Sequence, residues 1–249
     1  MKTVRGLILC GGQGVRLRPI TYYFQKTMIP IGTKQKPLLE YVVRLHHFHG
    51  ITDIALLVNY KAEQILNYFD DGSRFGVKIS YVHDRPQLKG TSGLVLNVYK
   101  QGLVNTRDTL LIYYGDILTN MNLKDLLHYH ESKQASATIA LCSGFTIRVG
   151  VADLDEEGKI LGFVEKPKIE KPVSMGILAL KGETLKDIEQ LQEKKCEVDL
   201  MRDLVPHLIK EGKPVYGYLS NDFWYDVGST EAYEKLNPKL VEDLLAYLF

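Results

Sequence analysis

The residues with the greatest chemical potential stand near the start of the chain, in Leu9-Cys10-Gly11-Gly12-Gln13-Gly14-Val15-Arg16-Leu17-Arg18-Pro19, with Lys26 close behind. Three glycines let backbone N–H groups approach a ligand closely, and a run of such groups makes a nest for an anion. Arg16, Arg18 and Lys26 add charge of the matching sign. Two familiar phosphate loops are excluded. A dinucleotide fingerprint read from Gly12 needs Gly or Ala where Leu17 stands, and an acidic residue about 20 positions on, where the chain is basic. A Walker loop must close with Gly-Lys-Ser/Thr, which is absent. No Ser/His or Cys/His pair reads as a nucleophile with its base. Cys10 reads as a small core residue. His46, His47 and His49 fall on one helix, where only 46 and 49 share a face, and they read as non-metal histidines.

These residues need elements to hold them. Val4–Cys10 reads as a buried strand that runs into the glycine loop, and Thr109–Tyr114 as another, ending in Gly115-Asp116. Ile54–Val58, Val77–Val82 and Ala137–Cys142 are further strands. Helical spacing covers Pro37–His49, with Gly50 as its stop, and Ala62–Phe69, Thr91–Tyr99 and Leu123–Ser132. Strands alternating with helices over short connections predict an α/β chain, a mostly parallel sheet with helices on both faces. Ligands bind beyond the carboxyl ends of such strands, where the glycine loop and Asp116 both fall. After residue 145 the pattern changes to short strands at Val149–Leu154, Ile160–Val164 and Met175–Leu180, a small β-rich lobe. Helices follow at Glu183–Glu193 and Leu200–Lys210. Leu240, Val241, Leu244, Leu245 and Leu248 make a C-terminal amphipathic stripe, read as packing on its own domain and otherwise as an oligomer contact.

The chain has 249 residues, 45% hydrophobic and 24% charged, which excludes a disordered chain, a fibrous repeat and a disulfide-rich miniprotein. No apolar stretch approaches the ~20 residues of a membrane span, and the first apolar run is too short for a signal peptide. Cys10, Cys142 and Cys196 are odd in number and widely spaced, so a reducing, cytoplasmic setting is expected. Net charge is +1, but residues 1–40 carry Lys2, Arg5, Arg16, Arg18, Lys26, Lys34 and Lys36 against Glu40 alone. A local cationic patch on a near-neutral protein suits a compact anion better than a nucleic acid, and no membrane partner is expected.

The ordered motifs resemble the sugar-1-phosphate nucleotidylyltransferases. Their glycine loop matches Gly11-Gly12-Gln13-Gly14-Val15-Arg16-Leu17-Arg18-Pro19-Ile20-Thr21, followed by Gln25-Lys26-Thr27-Met28-Ile29-Pro30 and Lys36-Pro37-Leu38-Leu39-Glu40-Tyr41. Gly90-Thr91-Ser92-Gly93, Gly115-Asp116, Gly150-Val151, Glu165-Lys166-Pro167, Gly176-Ile177 and Trp224-Tyr225-Asp226-Val227-Gly228 continue the series in order. The resemblance implies a Rossmann-like nucleotidyltransferase fold. It implies joining of an NTP to a sugar 1-phosphate, giving an NDP-sugar and pyrophosphate with Mg²⁺. On this reading Arg16 and Lys26 are catalytic. Leu9, Gly11, Gly12, Gly14, Gly90 and Thr91 bind nucleotide. Asp116 and Asp226 hold the metal. Gly150, Glu165, Lys166, Ser174 and Gly176 bind the sugar phosphate. Residues 1–145 form the nucleotide half, 146–235 the sugar half and 236–249 a C-terminal helix, with no β-helix domain expected.

Three positions depart from the family pattern: Val15 for Thr, Gln25 for Pro, and Ser174-Met175-Gly176 for Asn-Ala-Gly. The 90–93 loop resembles the Gly-Thr-Ala-Gly form of mannose-1-phosphate guanylyltransferases and favours GTP with mannose 1-phosphate. Glucose 1-phosphate with dTTP or UTP is the nearest alternative. A non-catalytic nucleotide-sugar-binding paralogue is another, and a dehydrogenase is disfavoured by Leu17. A homo-oligomer is compatible with the sequence.

Overall fold

The computed structural model describes residues 3–144, 146, 149–168 and 171–249; Lys2 of the cationic segment lies outside them. The strands are β1 Val4–Leu9, β2 Pro30–Ile31, β3 Lys36–Pro37, β4 Asp53–Val58, β5 Lys78–His83, β6 Thr109–Tyr114, β7 Ile117–Thr119 and β8 Ala137–Cys142. They continue with β9 Val151–Leu154, β10 Ile160–Val164, β11 Val173–Lys181, β12 Val215–Ser220 and β13 Trp224–Asp226. The helices are α1 Leu38–Phe48, α2 Ala62–Phe69, α3 Gly90–Lys100, α4 Leu123–Ser132, α5 Leu185–Lys194, α6 Val205–Lys210, α7 Thr230–Lys235 and α8 Pro238–Leu245.

Among the described residues, seven strands form the central sheet in the order β12-β8-β11-β6-β1-β4-β5. Every pairing is parallel except those of β11, which runs antiparallel to both β6 and β8. Alternate side chains along each strand enter opposite layers. Ile8, Leu56, Leu111 and Tyr113 join a core with α1, α2, α4 and α8, while Leu7, Leu57, Leu110 and Ile112 join one with α3, α5 and α6. Burial on both faces is why these strands read as unbroken apolar runs rather than alternating ones. Each fully buried Leu or Ile contributes ~1.5–3 kcal/mol, so the sheet is a stiff platform for the loops at its carboxyl edge.

The helices on both faces and the parallel strands match the sequence expectation. The larger differences lie past residue 145. Met175–Leu180 belongs to the central sheet as β11, so one sheet runs across the expected division between the halves. Of the three expected lobe strands, β9 and β10 stand outside the central sheet as a two-stranded ribbon with Val151, Leu154, Ile160 and Phe163 exposed. Leu200–Lys210 is helical throughout, but its first five residues form a π-helical turn. The Leu204 amide reaches the Asp199 carbonyl, and Pro206, without an N–H, cannot extend that pattern into α6. In the C-terminal stripe, Val241, Leu245 and Leu248 are buried in the core and Leu240 is exposed. Phe48, on the apolar spacing of α1, is also exposed, against Tyr247.

Candidate active site

The site is built where β1 and β6 end side by side. They pair in register from Val4 with Thr109 to Leu9 with Tyr114, and the Gly115 amide donates to the Leu9 carbonyl at 3.0 Å. The glycine loop and Asp116 therefore leave neighbouring strands at one level. Gly14 takes φ +61°, and a side chain there would press on Thr21 and Lys26. The chain then makes three short 3-10 turns, the third spanning Lys26–Met28. These turns were not foreseen, because three-residue turns carry no periodicity. Their effect is to return Lys26 to the strand ends, where its Nζ donates to Asp116 Oδ2, with both side chains largely buried.

Asp226 arrives from the far end of the chain. β13 pairs antiparallel with β7, setting Asp226 opposite Ile117, and the Val227 amide donates to the Asp116 carbonyl at 3.0 Å. A Cβ at Gly228 would lie 2.6 and 3.0 Å from the Asp226 carboxylate oxygens and 3.1 Å from an Arg16 guanidinium nitrogen. That glycine leaves room for Arg16 and Asp226 to face each other. Two carboxylates on adjacent backbones suit Mg²⁺, which is commonly held by one or two carboxylates plus substrate phosphates. Among the described residues no group of three or more His, Cys, Asp or Glu makes a complete cage, so phosphate oxygens fit the remaining positions.

Beside Lys26 opens a cavity of about 640 Å³, lined by Leu9, Gly11, Gly12, Lys26, Gly90, Thr91 and Asp116 among others. Seven of the expected site residues are thus gathered in one wall. Residues 90–93, expected as a loop, form the first turn of α3, and this turn packs against a segment that sequence reasoning did not connect to it. Gly90, at φ +81°, rests on Val198, where a Cβ would overlap its backbone. The Thr91 hydroxyl donates to Asp199 Oδ2 at 2.7 Å and accepts from the Leu200 amide at 2.8 Å. With its hydroxyl so engaged, Thr91 borders the cavity at the start of α3. Neither Thr91 nor Ser92 caps α3, which begins after Lys89 without a side-chain cap.

Asn59, Asp84 and Tyr114 are among the lining residues that were not singled out in the sequence. Asn59 Nδ2 donates to Asp84 Oδ2 at 2.6 Å at the cavity's rim. Partial burial at the rim raises the Asp84 carboxyl from its usual value. Tyr114 borders the floor, its phenol pushed up to about 12 by burial and by the Asp199 charge. Single polar residues at strand ends carry no pattern that would reveal them.

The sugar-side residues are less assembled. Gly176 lies beside Tyr114 and Ile117, and Trp224 Nε1 donates to the Met175 carbonyl at 2.9 Å, tying β11 to β13. Ser174 Oγ accepts from the Gly176 amide at 3.3 Å. Gly150 faces Glu165, whose oxygen lies 2.9 Å from a Cβ built there. Glu165 and Lys166 are about 60% exposed on the ribbon. None of these five residues lines the cavity. Cys10 is buried, its thiol donating to the Leu57 carbonyl and pushed up by burial. His46 is buried too, with its Nδ1 against the Val42 carbonyl.

The nucleotidyl transferase family model matches residues 5–243. The chain belongs to this family. A relative, the UTP–glucose-1-phosphate uridylyltransferase of Synechocystis sp., is 34% identical over 244 residues, covering 92% of this chain and 61% of its own. The mannose-1-phosphate guanylyltransferase of Mycobacterium tuberculosis is 31% identical over 246 residues, covering 97% of this chain and 66% of its own. The chain thus spans less than two thirds of the length of these two relatives. A solved Bacillus anthracis family structure, assigned as a glucose-1-phosphate thymidylyltransferase, shares the fold with TM-score 0.75 at 21% identity, covering 97% and 96% of the two chains. Within the described residues no helix is long and apolar enough to cross a membrane.

Proposed function

We infer that this chain is a sugar-1-phosphate nucleotidylyltransferase. The observation that carries the reading is Lys26 on Asp116 at the mouth of a glycine-walled cavity, with Asp226 held against the same backbone. The sugar phosphate oxygen forms a bond to the α-phosphorus while the bond from that phosphorus to the bridging oxygen breaks, and pyrophosphate leaves with the electron pair. The nucleophile is already an anion, so no base is needed. The barrier lies in bringing polyanions together and stabilising charge as it moves, which is the work of positioned cations.

Backbone groups of Gly11, Gly12 and Gly14 cradle the triphosphate. Arg16 takes up charge on the leaving pyrophosphate, and Lys26 contacts the reacting phosphate. Asp116 and Asp226 would hold Mg²⁺, which neutralises phosphate charge when bound. Glu165 accepts from sugar hydroxyls, Lys166 holds the sugar phosphate, and Gly150, Ser174 and Gly176 bring backbone to the sugar. Glu165 and Lys166 stand exposed beside the ribbon, open to an incoming sugar phosphate.

For the base, GTP fits best. Guanine presents adjacent N1–H and N2–H₂ donors, and a carboxylate accepts both. Asp84 supplies such a carboxylate at the rim of the cavity that Gly90 and Thr91 also line. Mannose 1-phosphate is the sugar we assign to it, and the Mycobacterium tuberculosis relative has that specificity in its name. The Synechocystis relative favours UTP with glucose 1-phosphate as the second reading. A matrix of five nucleoside triphosphates against four sugar 1-phosphates, scored by pyrophosphate release, decides. We expect GTP with mannose 1-phosphate to lead. No release from any pair would return the chain to a binding role.

A further inference from the structure

Gln25 is a fully buried polar residue that touches three segments of the catalytic wall. Its Nε2 donates to the Cys10 carbonyl, where β1 gives way to the glycine loop. Its Oε1 accepts from the Thr27 amide at 2.6 Å and from the Thr27 hydroxyl at 2.7 Å. Its backbone N–H donates to Gln64 Oε1 on α2 at 2.6 Å, and Gln64 Nε2 donates to the Tyr23 carbonyl at 2.7 Å. Gln25 thereby caps the turn that carries Lys26, and the lysine sits between the two residues so tied. A buried amide left unsatisfied is costly, so these bonds select one placement of the turn against the loop. The Gln25 φ of −63° is the value a proline ring would impose. Here hydrogen bonds hold the same backbone and also reach across to β1.

We propose that Gln25 is a positioning residue, locking the Lys26 turn to the glycine loop so that the ammonium meets Asp116 and the reacting phosphate in one geometry. A lysine has a long flexible stem, and where its Nζ spends its time depends on how firmly its Cα is held. The proposal rests on the reading of Lys26 as a phosphate contact.

A double-mutant cycle on the full chain tests it. Gln25→Leu keeps the volume and removes the bonds. It should lower kcat ~10²-fold, the usual cost of a misplacement near 1 Å, while KM for the nucleoside triphosphate stays within about threefold. In a Lys26→Ala background the same change should cost nothing further, because the group it positions is gone. Equal losses in both backgrounds, or a loss confined to KM, would overturn the proposal and leave Gln25 a structural residue. Lys26→Ala at full rate would overturn the Lys26 reading as well, so the two failures are distinguishable. Should Gln25→Leu fail to fold, Gln64→Leu on the half-exposed face of α2 gives a milder form. It should lower kcat ~3–10-fold, again only where Lys26 is present, and a loss that persists without Lys26 would overturn the proposal.

Discussion

On the proposed reading, Lys26, Asp116 and Asp226 act together on the charge of the reacting phosphates. Lys26→Ala should lower turnover ~10²–10³-fold, about 3–4 kcal/mol of charge stabilisation, with the circular-dichroism spectrum unchanged; steady-state pyrophosphate release measures it. Asp226→Asn keeps the shape and removes a charge. It should raise the Mg²⁺ concentration for half-maximal turnover ~10-fold or more, and a magnesium titration checks this. Asp84 bears on the base. Asp84→Asn exchanges an acceptor for a donor toward guanine, so the ratio of kcat/KM for GTP over UTP should fall ~10–10²-fold. The raised position of this carboxyl gives the effect a pH signature. Protonation removes the acceptor, so guanine preference should weaken as pH falls through the acid range, and in Asp84→Asn it should not vary there.

At the scale of elements, the nucleotide wall depends on a contact between segments far apart in sequence. The first turn of α3, residues 90–93, sits on Val198, Asp199 and Leu200, where the π-helical turn begins. Asp199 also caps that turn through the Met201 and Arg202 amides, so one carboxylate serves two elements. Gly90→Ala should cost ~1–3 kcal/mol, since φ +81° and the Val198 backbone both oppose a side chain. Urea unfolding would report the loss, and KM for the nucleoside triphosphate should rise with it. Residues 90–93 were singled out in the sequence by their resemblance to the family's base-recognition segment. The partner segment was not, because nothing in its local sequence points at residue 90.

For the whole molecule, the buried His46 couples stability to pH. Desolvation lowers its pKa from 6.5 to about 4, and Nδ1–H donates to the Val42 carbonyl at 2.8 Å. The folded state keeps this ring neutral while the unfolded chain takes up a proton first. Stability is therefore full above about 6.5 and is lost as pH falls toward 4, at up to about 1.4 kcal/mol per pH unit. Tm measured from pH 4 to 8 should fall less steeply at the acid end in His46→Leu than in the parent.

The order of strands and helices over residues 4–142 was readable because fully buried strands and one-sided helices leave strong hydrophobic patterns. The glycine loop, Lys26 and Asp116 could be singled out as a candidate phosphate site because phosphate chemistry calls for those residue types at strand ends. Tertiary structure alone decided that β11 inserts antiparallel into the sheet, that β13 carries Asp226 to the Asp116 backbone, and that Gln25 braces the lysine turn. Each depends on pairing across long stretches of chain, where the energy comes from a partner that local sequence does not name.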